Sequence, residues 1–358
     1  MKRVPFLIGG LGICLFIILG GAVFVTRFDS VTQFFRASTI VVSTPSREAR
    51  DTPPLESEAS LTSAISGTAC ENVSRRPFAV MMAGDIGTRP LSGIGSADLV
   101  IEMPVITGSI TRYMAVFQCD LPQEIGSLRS ARHDFIPLAM SFDAIFVHWG
   151  GSHYALDKLN RGITDNINAL SNSYGAFYRK SGIPKPHNGF TSADKLAYAV
   201  ERLGYRLENT FEGYPHRTAQ SPVYSSPGVL TIGYPYPFMV RYDYNPQTNG
   251  YFRTRGNTKE IDKVSGAQVE TKNVVIMRAA SRQIEGQYND VDVEGSGEAF
   301  IYRGGEEIKG TWSKDAQSPK SKLYFFDEAG SEIEFTPGSI WVEIVEPYQI
   351  VKWTIPNS

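Results

Sequence analysis

The sequence predicts an α/β (α+β) domain followed by a mostly-β domain, with a single N-terminal transmembrane helix in front of both. Three observations carry this expectation. Short apolar runs alternate with helical patterns over residues 69–215. Helical patterns nearly vanish after Phe211. An uncharged apolar run long enough to cross a bilayer, VPFLIGGLGICLFIILGGAVFVT, occupies Val4 to Thr26.

The apolar run belongs to residues 1–27, read as a membrane anchor. Lys2 and Arg3 precede it, while Arg27 is nearly cancelled by Asp29. The positive-inside rule then puts the N-terminus in the cytoplasm and the folded domains outside, on a single-pass protein of the cell membrane. A cleavable signal is the competing reading, with Gly20 and Ala22 as small residues near a cut, but cleaved signals have shorter apolar cores. Cys14 lies mid-span after Ile13, where a lipid-attachment motif needs a small residue, so it reads as a small buried apolar side chain. Residues 28–68 are rich in Ser, Thr, Pro and Glu, as in STPSREARDTPPLESEAS, and read as a flexible tether.

The first domain, 69–215, starts with FAVMMAG, ADLVIEMPV and TRYMAVF as strands. A helix over about Ser130 to Phe142 follows, then the strand DAIFVHWGG and the helical SHYALDKLN. TSADKLAYAVERLG is an amphipathic helix that Thr191 or Ser192 can start and Gly204 can end. The second domain, 221–350, holds hairpins in FMVRYDYNPQTNGYFRTRG, EAFIYRGGEEIKGTW and KLYFFDEAGSEIEFTPGSIWVEIVE.

The net charge of -2 over 358 residues excludes broad nucleic-acid binding, which needs a surplus of Lys and Arg, so any anion site must be local. Cys70 precedes one apolar strand and Cys119 ends another. Outside the cytoplasm two such thiols oxidise together, so a Cys70–Cys119 disulfide is expected. The cysteine spacing is not that of a metal site, and no motif indicates a metal, nucleotide or redox cofactor.

Candidate site residues cluster in the first domain. Arg129 and Arg132 in IGSLRSARHDFI, placed on one face of a helix start, would gather positive charge that needs a carboxylate or an anionic ligand. Arg112 opens a strand nearby. Glu102, in the otherwise apolar IEMP, needs a partner such as Arg112 or Arg129, or serves as a general acid or base. His148 ends a strand and precedes Gly150, Gly151 and Ser152, which suggests either a backbone anion cradle or a plain turn with a serine N-cap. His187 and Asn188 lie in the loop KPHNGF.

The motifs RPFAVMMAGD, SGIGSADLVIEMPVITGSITRYMAVF, IGSLRSARHDFI, FDAIFVHWGGS and KPHNGFTS resemble those of the YerB-like envelope lipoproteins, and NVVIM, GEAFIYRGGEEIKGTW and TPGSIWVEIV extend the resemblance through the second domain. The resemblance implies an extracytoplasmic, membrane-tethered protein with paired domains of unknown function. It implies no activity. Glu102, Arg112, Arg129, Ser130, Arg132, His148, Gly150, Gly151, Ser152, His187 and Asn188 fall on its motifs. This chain departs from it in lacking a lipid-attachment cysteine and in reading GNTKEID, with Lys259 and Glu260, where many relatives have a histidine.

Three functions follow as expectations. The first is binding of a cell-wall glycan or anionic polymer of the envelope through Arg112, Arg129, Arg132, Gly150, Gly151, Ser152 and Asn188. The second is a hydrolase or transferase acting on wall polymers, with Glu102, His148 and His187 as acid/base groups. The third is an interaction module that docks envelope protein partners.

Overall fold

The computed structural model describes residues 61–355 apart from 108, 172, 219–225 and 287. The expected membrane helix lies outside the described residues, and among the described residues no helix is long and apolar enough to cross a membrane. The described residues all belong to one unit. That unit already includes the last part of the expected tether. Ile65 is in the core, Ser63 donates to Gln118 Oε1 at 2.8 Å, and Ser66 donates to Asp98 at 2.7 Å.

The expected α/β character is corrected to mostly β. Among the described residues the α-helices are α1 (Phe135–Met140), α2 (His153–Asn160) and α3 (Ala193–Leu203). The strands read from apolar runs are present at Phe78–Ala83, Leu99–Pro104, Thr111–Phe117 and Ile145–His148. They form half of a ten-stranded sheet, completed at that end by Asn166–Asn168. The other half comes from the C-terminal part of the chain: Asn273–Arg278, Gly295–Arg303, Glu306–Lys314, Tyr324–Asp327 and Ile340–Val345. The halves join where Leu99–Pro104 runs parallel to Ile340–Val345, with Glu102 directly beside Glu343.

Both faces of this sheet are covered, which is why its central strands are apolar throughout instead of alternating. Leu99, Ile101 and Met103 pack with Phe135 and Leu138 of α1 on one face. On the other, Val100 and Tyr113 pack with Leu230, Tyr242 and Tyr251 of a second sheet. That second sheet comprises Gly228–Ile232, Val240–Asn245, Gly250–Arg255, Thr258–Lys259 and Val351–Thr354, with Glu270–Thr271 paired to Gly250–Arg255. Two of the expected hairpins are thus formed, the longer one turning at Gly304 and Gly305, whose φ angles are +59° and +82°.

Ser192 occupies the cap position of α3, and Gly204 ends that helix at φ +66°. The helix expected from Ser130 begins only at Phe135. Pro137 explains the late start: it has no N–H to give to a carbonyl four residues back, a lack tolerated in a first turn but not within a helix. The expected disulfide joins Cys70 to Cys119, with Cα atoms 5.7 Å apart, and staples the entry segment to the end of the Thr111–Phe117 strand.

A candidate anion site built on three arginines

Residues 127–131 run extended, not helical, and lace together the ends of two parallel strands. Ala83 N–H donates to the Ser127 carbonyl at 3.0 Å, and Arg129 N–H donates to Met81 at 2.9 Å. On the other side, Trp149 N–H donates to Arg129 at 3.0 Å, and Ala131 N–H donates to Gly150 at 2.9 Å. Helix-face spacing and the helix dipole therefore do not govern Arg129 and Arg132. The sheet edge does. Arg112 joins them because it is registered opposite Ala83, the last residue of the Phe78–Ala83 strand.

Among the described residues the three guanidiniums meet one carboxylate in ion pairs. Arg129 Nε donates to Asp85 at 3.1 Å. Its other nitrogens donate to Ser127 Oγ at 3.0 Å and the Pro186 carbonyl at 2.9 Å, and contact His187 Nδ1. Arg112 donates to the Ser130 carbonyl at 2.8 Å, and Arg132 to the Ala131 carbonyl at 3.0 Å. Neither forms an ion pair among the described residues, and the Nε of each is buried without a partner. Arg132 also lies 5.5 Å from the Tyr288 ring. Burial, then repulsion from Arg132 and Arg129, holds the Arg112 guanidinium well below its ordinary pKa. Burial also lowers Arg129 against the pull of Asp85, and lowers Arg132 against Tyr288 and Asp134.

The other expected site residues divide. His187 joins the cluster through Arg129. Asn188 lies next to it but is spent on its own hairpin, accepting from Arg179 at 2.6 Å and donating to the Lys180 carbonyl at 3.3 Å. His148 is fully enclosed, its Nδ1 2.8 Å from the Gly150 carbonyl and its Nε2 3.2 Å from Asn166. Burial lowers its pKa against those two hydrogen bonds, so the ring is held neutral and out of reach. The glycine turn offers no free cradle at Gly150 or Ser152. Gly150 N–H donates to Asn168 Oδ1 at 3.0 Å, and Ser152 N–H donates to Ala131 at 3.1 Å. Ser152 is the N-cap of α2, accepting from Ala155 N–H at 3.2 Å, and a Cβ at Gly151 would crowd Leu156 and Ala131.

Glu102 leaves the cluster altogether. Neither Arg112 nor Arg129 reaches it. On adjacent antiparallel strands Glu102 is registered with Tyr113, while Arg112 is registered with Met103. A one-residue offset sends side chains to opposite faces. Glu102 instead enters a buried network facing the second sheet, where it accepts from Thr111, Arg253 and Arg255. Arg253 also donates to Glu260, to Glu343 at 3.1 Å and to Tyr242 Oη at 2.8 Å. Glu260, in the stretch GNTKEID, is thus an ion-pair partner of Arg253 here. Arg253 and Arg255 share the inward face of their strand by period 2, the signal in FRTR that marks them.

Beside Arg132 is a second polar cluster. His133 Nε2 is 3.0 Å from Asp134 Oδ1 and 3.1 Å from Asp290 Oδ1. Burial, then the neighbouring Asp290 charge, pushes Asp134 up to about 8.

A two-sheet, disulfide-stapled body with an arginine cluster at a sheet edge defines a class, and the comparisons identify it. Residues 64–206 match the N-terminal domain, and residues 230–342 the C-terminal domain, of the proteins of unknown function DUF3048. The chain belongs to that family. It is 30% identical over 275 residues to "Putative lipoprotein YerB" of Bacillus subtilis (strain 168), covering 76% of this chain and 81% of that one. The crystal structure of the YerB protein from Bacillus subtilis superposes with a TM-score of 0.73 at 30% identity, covering 82% of this chain and 99% of that one.

Proposed function

We propose that this is a membrane-associated protein of the cell envelope whose Arg112, Arg129 and Arg132 cluster binds an anionic envelope ligand. The observation that carries the reading is charge without a partner: three largely buried guanidiniums, one ion-paired carboxylate, and two buried Nε–H groups that donate to nothing among the described residues. Desolvated charge of one sign is costly unless a counter-charge arrives, and planar guanidiniums suit the oxygens of phosphate or carboxylate. The location is supported by the apolar Val4 to Thr26 run, its flanking charges and the lipoprotein name of the relative. The binding reading is favoured over the hydrolase reading because Glu102 and His148 are enclosed away from the arginines, which leaves His187 alone beside them.

The test is Arg132→Gln in the full chain, solubilised in detergent. Titration calorimetry with inorganic phosphate and with purified anionic wall fragments should show affinity reduced roughly 10- to 100-fold, the scale of a charged hydrogen bond. Wild-type affinity should fall as salt rises. The ligand-free variant should melt no lower than wild type, since it loses a repulsive charge. A variant that melts clearly lower and binds as before would make the cluster structural.

A further inference from the structure

We propose that His133, Asp134 and Asp290 bind a divalent first-row transition cation, of the zinc or manganese kind, which pins the Ser281–Val291 hairpin to the start of α1. The inference does not depend on the arginine reading, and either can fail alone.

Three ligand atoms converge. One nitrogen and two carboxylate oxygens lie within 4.8 Å of one another. His133 Nε2 stands 3.0 Å from one oxygen and 3.1 Å from the other, the spacing of atoms that share one ion as much as of atoms that share a proton. The set bridges two regions far apart in sequence. His133 and Asp134 precede α1, whereas Asp290 lies on the short hairpin of Ser281–Glu285 and Tyr288–Val291. That hairpin is a sheet of only two strands, docked on the body by buried Val291 and by Asn289, which accepts from Thr107 at 2.6 Å, and a shared ion would add a further tie.

A second, independent feature points to a cation. Asp134 is 5% exposed and forms no ion pair with a lysine or arginine among the described residues. A buried carboxylate facing another carboxylate needs a counter-charge to stay ionised, and a bound cation supplies it. Arg282 occupies only the outer oxygen of Asp290, leaving the inner one turned to His133 and Asp134. One imidazole with two carboxylates is a mixed nitrogen and oxygen donor set, which suits zinc or manganese better than the all-oxygen preference of calcium and magnesium. Three protein ligands also leave at least one position for water. Sequence patterning could not show this set, because 157 positions separate His133 from Asp290.

The experiment uses the full chain in detergent, stripped with chelator and titrated by calorimetry with Zn2+, Mn2+, Mg2+ and Ca2+, with melting followed in parallel. One equivalent of Zn2+ or Mn2+ should bind, at least tenfold tighter than Mg2+ or Ca2+. At a hundredfold excess over its Kd it should raise the melting temperature by roughly 5 °C. Asp290→Asn, at a partly exposed position, should weaken binding at least tenfold, as should His133→Gln. His153→Ala removes the neighbouring exposed histidine and should leave binding unchanged. The proposal is overturned by no saturable binding, by tightest binding of Mg2+ or Ca2+, or by zinc or manganese affinity that survives Asp290→Asn. The last readout holds even where His133→Gln does not fold.

Discussion

Glu102→Gln is expected to destabilise the folded unit by about 3–5 kcal/mol, the cost of breaking a buried ion pair by removing one partner. Glu102 is wholly buried, and its two oxygens accept from Arg253, Arg255 and Thr111. Burial pushes its carboxyl up, but Arg255, Arg253 and the Thr111 hydroxyl more than offset that, so it is held ionised below its ordinary pKa. Glutamine keeps the shape and removes the charge. It also turns an amide donor toward guanidinium donors, leaving them short of acceptors in a fully buried site. The effect should be a melting temperature lower by roughly 10 °C, measured by circular dichroism. Because Arg253 and Arg255 come from the second sheet, the loss should be cooperative, with one transition seen by both near- and far-ultraviolet signals. A Glu102→Gln protein that melts within 2 °C of wild type would mean that the network does not hold the sheets together.

That network shows what was readable in the chain and what was not. A carboxylate in an apolar strand demands a partner, and Glu102 announces that from sequence alone. The identity of the partner depends on which face of the sheet the side chain takes, and that is set by a register invisible without pairing. Arg112 and Arg129 are near in sequence yet serve the sheet edge, while Arg253 and Arg255 are about 150 positions away and serve the face. Strands and hairpins were legible because period-2 alternation, apolar runs and glycine turns are local properties. α1 is shorter than its apolar spacing predicts because Pro137 outweighs that spacing. His148 and Ser152 were legible as residues but ambiguous in role, since a capped turn and an anion cradle use the same residue types. Only the tally of backbone N–H groups separates them.

Glu343→Gln should do the opposite of Glu102→Gln, and only above mildly acidic pH. Glu343 lies directly beside Glu102 on a parallel strand, in a network that sets three carboxylates (Glu102, Glu260 and Glu343) against two guanidiniums. Among these directly paired groups the charges balance when one carboxyl keeps its proton. Burial, then the Glu102 charge, pushes Glu343 up to about 7 despite Arg253 and Tyr242. Its surroundings fit a proton on Oε2: the Tyr234 hydroxyl 3.1 Å away donates to the Ile344 carbonyl at 2.9 Å, which leaves that hydroxyl free to accept. In the unfolded chain the same carboxyl titrates near its ordinary value of 4.5. Between these two values the folded state binds the extra proton, so this group makes stability fall as pH rises, by about 1.4 kcal/mol per unit and about 3 kcal/mol in all above pH 7. Below about pH 4.5 both states are protonated and the contribution is nil. Glutamine mimics the protonated acid at every pH. Glu343→Gln should therefore match wild type near pH 4.5 and exceed it by about 3 kcal/mol at pH 8, roughly 6–10 °C in melting temperature. Taking the difference between the two proteins cancels the buried histidines, whose lowered pKa values act with the opposite slope. Equal melting curves at pH 8, or a variant less stable there, would place the shared proton elsewhere in the network.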